Sequence, residues 1–142
     1  MAIFRPEDEA RVRELLEGME RPVELLVAHG PEETPLPGAR DIDFAAETER
    51  VVRELCELSP LLSMRVEERP AGFERYPGVA VLPEGRDAGV RYYGLPYGYE
   101  LGSLIGAVLE AGRTESSLRP ESLERLAALD RELAIDVFVT PT

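Results

Sequence analysis

Very few side chains in this sequence are suited to nucleophilic or metal chemistry. There is one cysteine, Cys56, and one histidine, His29. Cys56 falls on the apolar side of a predicted helix, about four turns from the helix start that would activate a thiol, so we interpret it as a core residue rather than a monothiol nucleophile or sensor. One histidine and one cysteine cannot supply the three or four ligands of a metal site, and we predict that His29 lies in a loop.

Carboxylates are the remaining candidates for cation binding. Glu32, Glu33, Asp41 and Asp43 lie close together in the sequence, but their spacing does not match a calcium-binding loop. Because the whole chain is acidic, such groupings are common, and we interpret these residues as solvated or helix-capping groups. The sequence predicts no metal site and no cofactor.

Hydrophobic periodicity predicts the elements that carry these residues. Helices are predicted at Pro6 to Met19, Asp43 to Leu58, Gly98 to Gly112 and Pro120 to Leu133. Strands are predicted at Val23 to Ala28, Leu61 to Glu67, Gly78 to Leu82, Gly89 to Tyr93 and Ala134 to Val139. A βαβ crossover followed by a hairpin gives a mixed sheet, for which we expect helices on both faces. In the third helix Gly98, Gly102 and Gly106 recur every four residues, which favours close packing of that helix on the sheet.

Composition excludes several functional classes. Twenty-eight acidic residues against sixteen basic ones give a formal net charge of −12, which argues against nucleic acids and anionic membrane surfaces as partners. No apolar run is long enough to span a bilayer.

The acidic, amphipathic N-terminus does not match a signal peptide, so we expect a cytoplasmic protein. All basic residues are arginine and Asn and Gln are absent, which suits either a thermophile's protein or the codon bias of a GC-rich genome.

Two stretches carry a family resemblance: GVRYYGLPYGYEL at residues 89–101 and DVFVTPT at residues 136–142. Together with VVRELCELSPLLS they resemble the protein disulfide oxidoreductases, glutaredoxin-like proteins with tandem thioredoxin folds. They are more loosely similar to the N-terminal region of the alkyl hydroperoxide reductase flavoprotein subunit. The resemblance implies a thioredoxin-like α/β unit at residues 1–113. It also implies that residues 114–142 form a helix and strand that begin a second, incomplete unit.

The resemblance also implies thiol-disulfide chemistry, from which this sequence departs. Where a redox-active unit carries Cys-x-x-Cys at the start of its long helix, this chain has Ile42, Asp43, Phe44 and Ala45. Thiol exchange needs a thiolate at a helix N-terminus and a second cysteine one turn later. Residues 42–45 supply neither, so we expect a redox-inactive unit.

Tyr76 and Pro77 are the candidate binding residues. In the register of the resemblance, Pro77 occupies the position of the cis-proline of thioredoxin folds, where the backbone of the preceding residue pairs with an extended peptide. The alternative is a turn proline that opens a strand. We therefore predict a cis Tyr76–Pro77 bond.

The function that this pattern favours is a scaffold, docking or dimerisation unit whose partner is a protein, a peptide or a second copy of the chain. We expect the apolar strand Ala134 to Val139 to join either the chain's own sheet or the same strand of a second molecule. Two alternatives stay open. In the first, the chain is the N-terminal part of an active thiol-disulfide oxidoreductase whose dithiol lies beyond Thr142. In the second, it is a peptide-binding protein that uses the cleft at Pro77.

Overall fold

The computed structural model describes residues 2–31 and 42–139. In these ranges the chain forms four helices and four strands. The helices are α1 (Pro6–Leu16), α2 (Phe44–Cys56), α3 (Tyr99–Ala111) and α4 (Pro120–Ala127), and the strands are β1 (Val23–His29), β2 (Leu62–Glu68), β3 (Gly78–Pro83) and β4 (Arg91–Tyr93).

The helix starts follow the predicted signals. Pro6 opens α1 and is followed by three acidic residues in the first turn, where carboxylates interact favourably with the positive end of the helix dipole. Asp43 caps α2, and its side chain accepts a hydrogen bond of 2.9 Å from the backbone N–H of Ala46. The predicted capping role of Asp43 is confirmed.

The strands form one mixed sheet in the order β2-β1-β3-β4. β1 runs parallel to β2 and antiparallel to β3, and β3 pairs with β4 in an antiparallel hairpin. This arrangement confirms the predicted mixed sheet of a thioredoxin-like fold. β4 is shorter than predicted and begins at Arg91. The turn at Glu84 and Gly85 is followed by irregular residues 86–90, where the Asp87 carboxylate accepts the N–H of Gly89 at 2.8 Å.

The core lies mainly on one face of the sheet. Buried side chains of α1, α2 and α3 pack with Val23, Leu25 and Val27 of β1 and with the odd-numbered valines of β3. A second, smaller cluster on the other face consists of Leu26, Ala80 and Leu82, with Phe73 packed against it. Val51 and Thr48 of α2 are also fully buried but belong to neither cluster.

The glycines of α3 do not make the close packing that we predicted. A Cβ atom added at Gly102 or Gly106 would meet nothing within 4 Å. The buried side of α3 consists of Leu104, Ile105 and Val108 instead. The predicted role of the glycine row is therefore wrong, since Gly102 and Gly106 lie on the open side of the helix.

The C-terminal part also differs from the prediction. α4 ends at Ala127 rather than Leu133 and has no buried residue. Residues 134–139 are fully described but form no strand, and their side chains are exposed. The apolar alternation of this segment satisfied a strand pattern, but a strand needs a neighbour, and within the described ranges this segment pairs with no other strand. In those ranges no helix has both the length and the apolar character needed to cross a bilayer.

Candidate functional site

Three segments converge where a thioredoxin-like unit carries its active site. The first half of α2 lies near the C-terminal end of β1, since a carboxylate oxygen of Glu49 is 3.6 Å from Nε2 of His29, the last residue of that strand. β3 is antiparallel to β1, and its first residue, Gly78, pairs with Ala28 near the same end. The loop of residues 69–77 that precedes β3 therefore lies beside the end of β1.

The Tyr76–Pro77 peptide bond is cis, as the register of the resemblance predicted. Pro77 is buried, and its carbonyl accepts a 2.8 Å hydrogen bond from the N–H of Gly94. Tyr76 is half-buried and packs on Gly30, where an added Cβ would lie 2.4 Å from the tyrosine ring. No backbone hydrogen bond within the described ranges uses the N–H or C=O of Tyr76.

Arg91 of β4 fixes the loop that carries this bond. Its guanidinium donates to both carboxylate oxygens of Asp87, at 2.8 and 2.5 Å, and to the carbonyl of Gly72 at 3.1 Å. The guanidinium also lies 4.8 Å from the centre of the Phe73 ring. Tyr93 adds a second support, because its ring meets Phe73 edge-to-face and its hydroxyl accepts the N–H of Glu74.

Sequence reasoning missed these supporting residues. Arg91 stands in a short β-prone run, and nothing in its spacing to Asp87 or Phe73 shows that the three meet. Gly30, two residues after a predicted strand, was a usable signal for a close approach, because glycine at such a position leaves room for a neighbouring group.

The start of α2 carries no nucleophile. Ile42 is exposed and Asp43 caps the helix, and Phe44 and Ala45 fill the first turn. Farther along, Arg50 donates to the Glu47 carboxylate at 2.6 Å, and this contact raises the pKa of Arg50. The arrangement can present a helix end and a cis-proline to a partner, but it has no thiol with which to attack a disulfide.

Cys56 lies at the opposite end of α2, where it is the last helical residue. It is a half-buried free thiol that packs against the main core cluster. Desolvation by burial, aided by the charge of Glu57, raises the pKa of Cys56 to about 12. At neutral pH almost all of this thiol is protonated, and the thiolate is the form that reacts.

His29 is the last residue of β1 rather than the loop residue that we predicted. Its Nε2 atom lies 3.6 Å from a carboxylate oxygen of Glu49 and makes no hydrogen bond. Within the described ranges no group of three or more His, Cys, Asp and Glu side chains is arranged so that it could hold a metal ion. Glu32, Glu33 and Asp41 lie outside the described residues.

Comparisons with known proteins agree with this geometry. The alkyl hydroperoxide reductase AhpF of Staphylococcus aureus is 24% identical over 132 residues, which cover 93% of this chain and 23% of that protein. Among solved structures, the NTD_N/C domain of AhpF from Enterococcus faecalis superposes with a TM-score of 0.75 at 19% identity, over 90% of this chain and 62% of that one. A protein disulfide oxidoreductase from Aeropyrum pernix gives a TM-score of 0.68 at 25% identity, over 91% of this chain and 56% of that one. The chain is a thioredoxin-like relative of these proteins.

No family model matches the sequence. The chain spans about a quarter of the length of the AhpF proteins that it matches, since the covered share is 23%. The similarities above establish the fold and the relationship to AhpF and to the disulfide oxidoreductase. Because the chain covers only part of those proteins, their activity does not transfer to it.

Proposed function

We propose that this chain is a redox-inactive thioredoxin-like unit that docks a protein or peptide segment, in the cytoplasm. The observation that supports the proposal most directly is the start of α2, where Asp43 caps the helix, Phe44 and Ala45 occupy the first turn and no thiol is present. The single thiol, Cys56, is at the other end of the helix with its pKa raised to about 12. A thiol there cannot replace an activated pair at the helix start.

The loop at Tyr76 and Pro77 is the docking element in this proposal. Two observations support this role: the packing of the Tyr76 ring on Gly30, and the backbone groups of Tyr76 left without a backbone partner in the described chain. An extended segment paired there would gain main-chain hydrogen bonds without any covalent step.

Insulin reduction driven by dithiothreitol tests the redox part of the proposal. We expect the chain to leave the uncatalysed rate unchanged. Catalysis that Cys56→Ser abolishes would establish a monothiol mechanism and overturn the proposal. Catalysis that survives Cys56→Ser would show chemistry at a site that we have not identified.

Peptide docking is tested separately, by nuclear magnetic resonance titration with a mixture of extended, unstructured peptides. We expect amide shifts centred on residues 74–78, and we expect Gly30→Ala to weaken them, because the new Cβ displaces the Tyr76 ring. Gly102→Ala is the matched control, since Gly102 lies in α3 away from the loop and an added Cβ there meets nothing within 4 Å. Shifts that are absent, or that lie elsewhere on the surface, would refute docking at this loop.

A second function is favoured by the partial coverage of the relatives. The chain corresponds to less than two thirds of each relative and solved structure described above, and α4 and residues 128–139 are exposed. In this alternative the chain is the N-terminal part of a longer thiol-disulfide oxidoreductase whose dithiol follows Thr142. The intact mass of the native protein, together with the reading frame after residue 142, distinguishes the two proposals.

A further inference from the structure

The most exposed apolar surface of the described chain is its C-terminal segment, residues 118–139. Ile135, Val137 and Phe138 are 85%, 80% and 84% exposed. The apolar residues of α4 add to them, with Leu123, Leu126 and Leu129 all exposed. Together these side chains expose on the order of 700 Å² of apolar surface, above the roughly 300–600 Å² of the largest patch on a typical monomer. The amount is about what one partner contributes to a stable interface, roughly 800 Å².

A free edge of the sheet offers a complementary surface. β2 is an edge strand of seven residues whose only strand neighbour in the described chain is β1. Leu61 accepts a bond from Val23 and Arg69 donates to His29, so odd-numbered residues direct their backbone groups to β1. Met64, Val66 and Glu68 therefore direct their N–H and C=O groups to the free edge, which is open to strand addition.

The side chains of the two surfaces match by face. Along an extended strand Ile135, Val137 and Val139 share one face. On β2 the even-numbered Met64 and Val66 lie on the face of the main core, where Val66 is still 39% exposed. Strand addition would place these apolar residues side by side, and Asp136 and Phe138 would fall on the opposite face with Ser63 and Arg65.

We propose that residues 134–139 of one copy add to the β2 edge of a second copy, and that the second copy returns its own segment to the first. In its described ranges each copy has an unpaired strand-like segment and the seven-residue edge of β2, which is longer than the three-residue edge of β4. A reciprocal exchange pairs the segment and the β2 edge of both copies and closes with two-fold symmetry. The exchange deepens the docking function proposed above, because it names a second copy of the chain as a partner. Since each copy carries a net charge of −12, the dimer forms more readily at high salt.

Sedimentation velocity of the 142-residue chain and its variants tests the exchange. Val66→Pro removes an N–H that points to the free edge and leaves the pairing of β1 with β2 intact. Val66→Thr is its matched control, since it keeps the N–H and the branched shape. Val137→Asp places a charge on the apolar face of residues 134–139 and should prevent their pairing with β2. Asp136→Asn is its control, because residue 136 lies on the opposite face. Circular dichroism checks that each variant is folded, and Val66→Lys replaces the proline variant if that variant unfolds.

We expect a dimer for the parent chain and both controls, and monomers for Val66→Pro and Val137→Asp. Mixing those two monomers should give a heterodimer, because one keeps an intact segment and the other an intact edge. A monomeric parent chain at high salt would overturn the exchange. A Val66→Pro chain that dimerises while Val137→Asp does not would also overturn it, in favour of segment-to-segment pairing. Binding of a different protein to residues 134–139, without self-association of the chain, would likewise refute it. None of these results bears on redox inactivity, which the insulin-reduction assay decides.

Discussion

Replacing Arg91 with methionine should destabilise the chain and release the loop that carries Tyr76 and Pro77. The Arg91 side chain is only 16% exposed, and its guanidinium contacts Asp87, Gly72 and the face of Phe73. Methionine keeps much of the aliphatic length and removes every polar contact. The substitution therefore isolates the guanidinium from the packing of its stem.

The expected loss is about 2 kcal/mol in the free energy of unfolding. Hydrogen bonds to charged groups contribute about 1.5–3 kcal/mol each when they are sheltered, and a cation–π contact about 0.5–1 kcal/mol when it is exposed. The Asp87 side chain is 54% exposed, so solvent screening reduces the ion pair to the lower end of its range. The stranded Gly72 carbonyl is near the surface and can be hydrated, which limits the loss further.

Urea denaturation followed by circular dichroism measures this loss, with Arg86→Met as the matched control. Arg86 lies in the same hairpin turn and pairs with Glu84, but its side chain is 79% exposed. We expect the control to change stability by less than about 0.5 kcal/mol. Equal effects at the two positions would refute the view that Arg91 anchors the loop. A large loss at Arg91 without any change in the amide signals of residues 73–77 would show that it stabilises the hairpin alone.

Three further outcomes are expected. Alkylation of Cys56 by iodoacetamide at neutral pH should be at least about a hundredfold slower in the native chain than in urea, because burial raises the pKa of the thiol to about 12; equal rates would contradict a buried thiol. Gly106→Ala should stabilise the chain by about 0.5–1 kcal/mol in thermal unfolding, because the new methyl group meets open space and alanine favours the helix; destabilisation would mean that a partner occupies that face. Hydrogen bonds from Arg91 and Gly89 lower the pKa of Asp87 to about 2, so its contribution to stability is complete above about pH 4 and is lost as the pH falls toward 2. This acid dependence should be smaller in Arg91→Met, which keeps only the bond from Gly89, and an undiminished dependence there would assign it to another carboxylate.

Local signals in the sequence predicted most of the fold. Asp43 was identified as a cap because its short carboxylate can reach the free amides of a helix start, and the structure has that bond. The buried strand β1 was evident from its continuous apolar run, and the turn residues before Arg91 gave the hairpin. The cis bond before Pro77 followed from the register of the family resemblance and not from the composition of the loop.

The wrong and missing predictions share a physical cause: a single sequence does not show which distant residues will contact a given side chain. The row at Gly102 and Gly106 has the spacing of a close helix contact, but the helix is rotated so that its leucine and valine side faces the core. Residues 134–139 have the alternation of a strand, but the described chain offers them no neighbour. The anchoring role of Arg91 needs contacts with Gly72 and Phe73, 19 and 18 residues earlier, and such a long-range meeting has no local pattern.

Installing a dithiol tests the central claim that this is a thioredoxin-like site without its cysteines. Ile42→Cys combined with Ala45→Cys places two thiols at the start of α2, where the helix dipole lowers a thiol pKa. The measurement is the rate of dithiothreitol-driven insulin reduction by the parent chain and by the double variant, both on a Cys56→Ser background. We predict that the parent chain stays at the uncatalysed rate and that the double variant exceeds it clearly. A parent chain that already accelerates the reaction would contradict the account, and so would a folded double variant that remains inert.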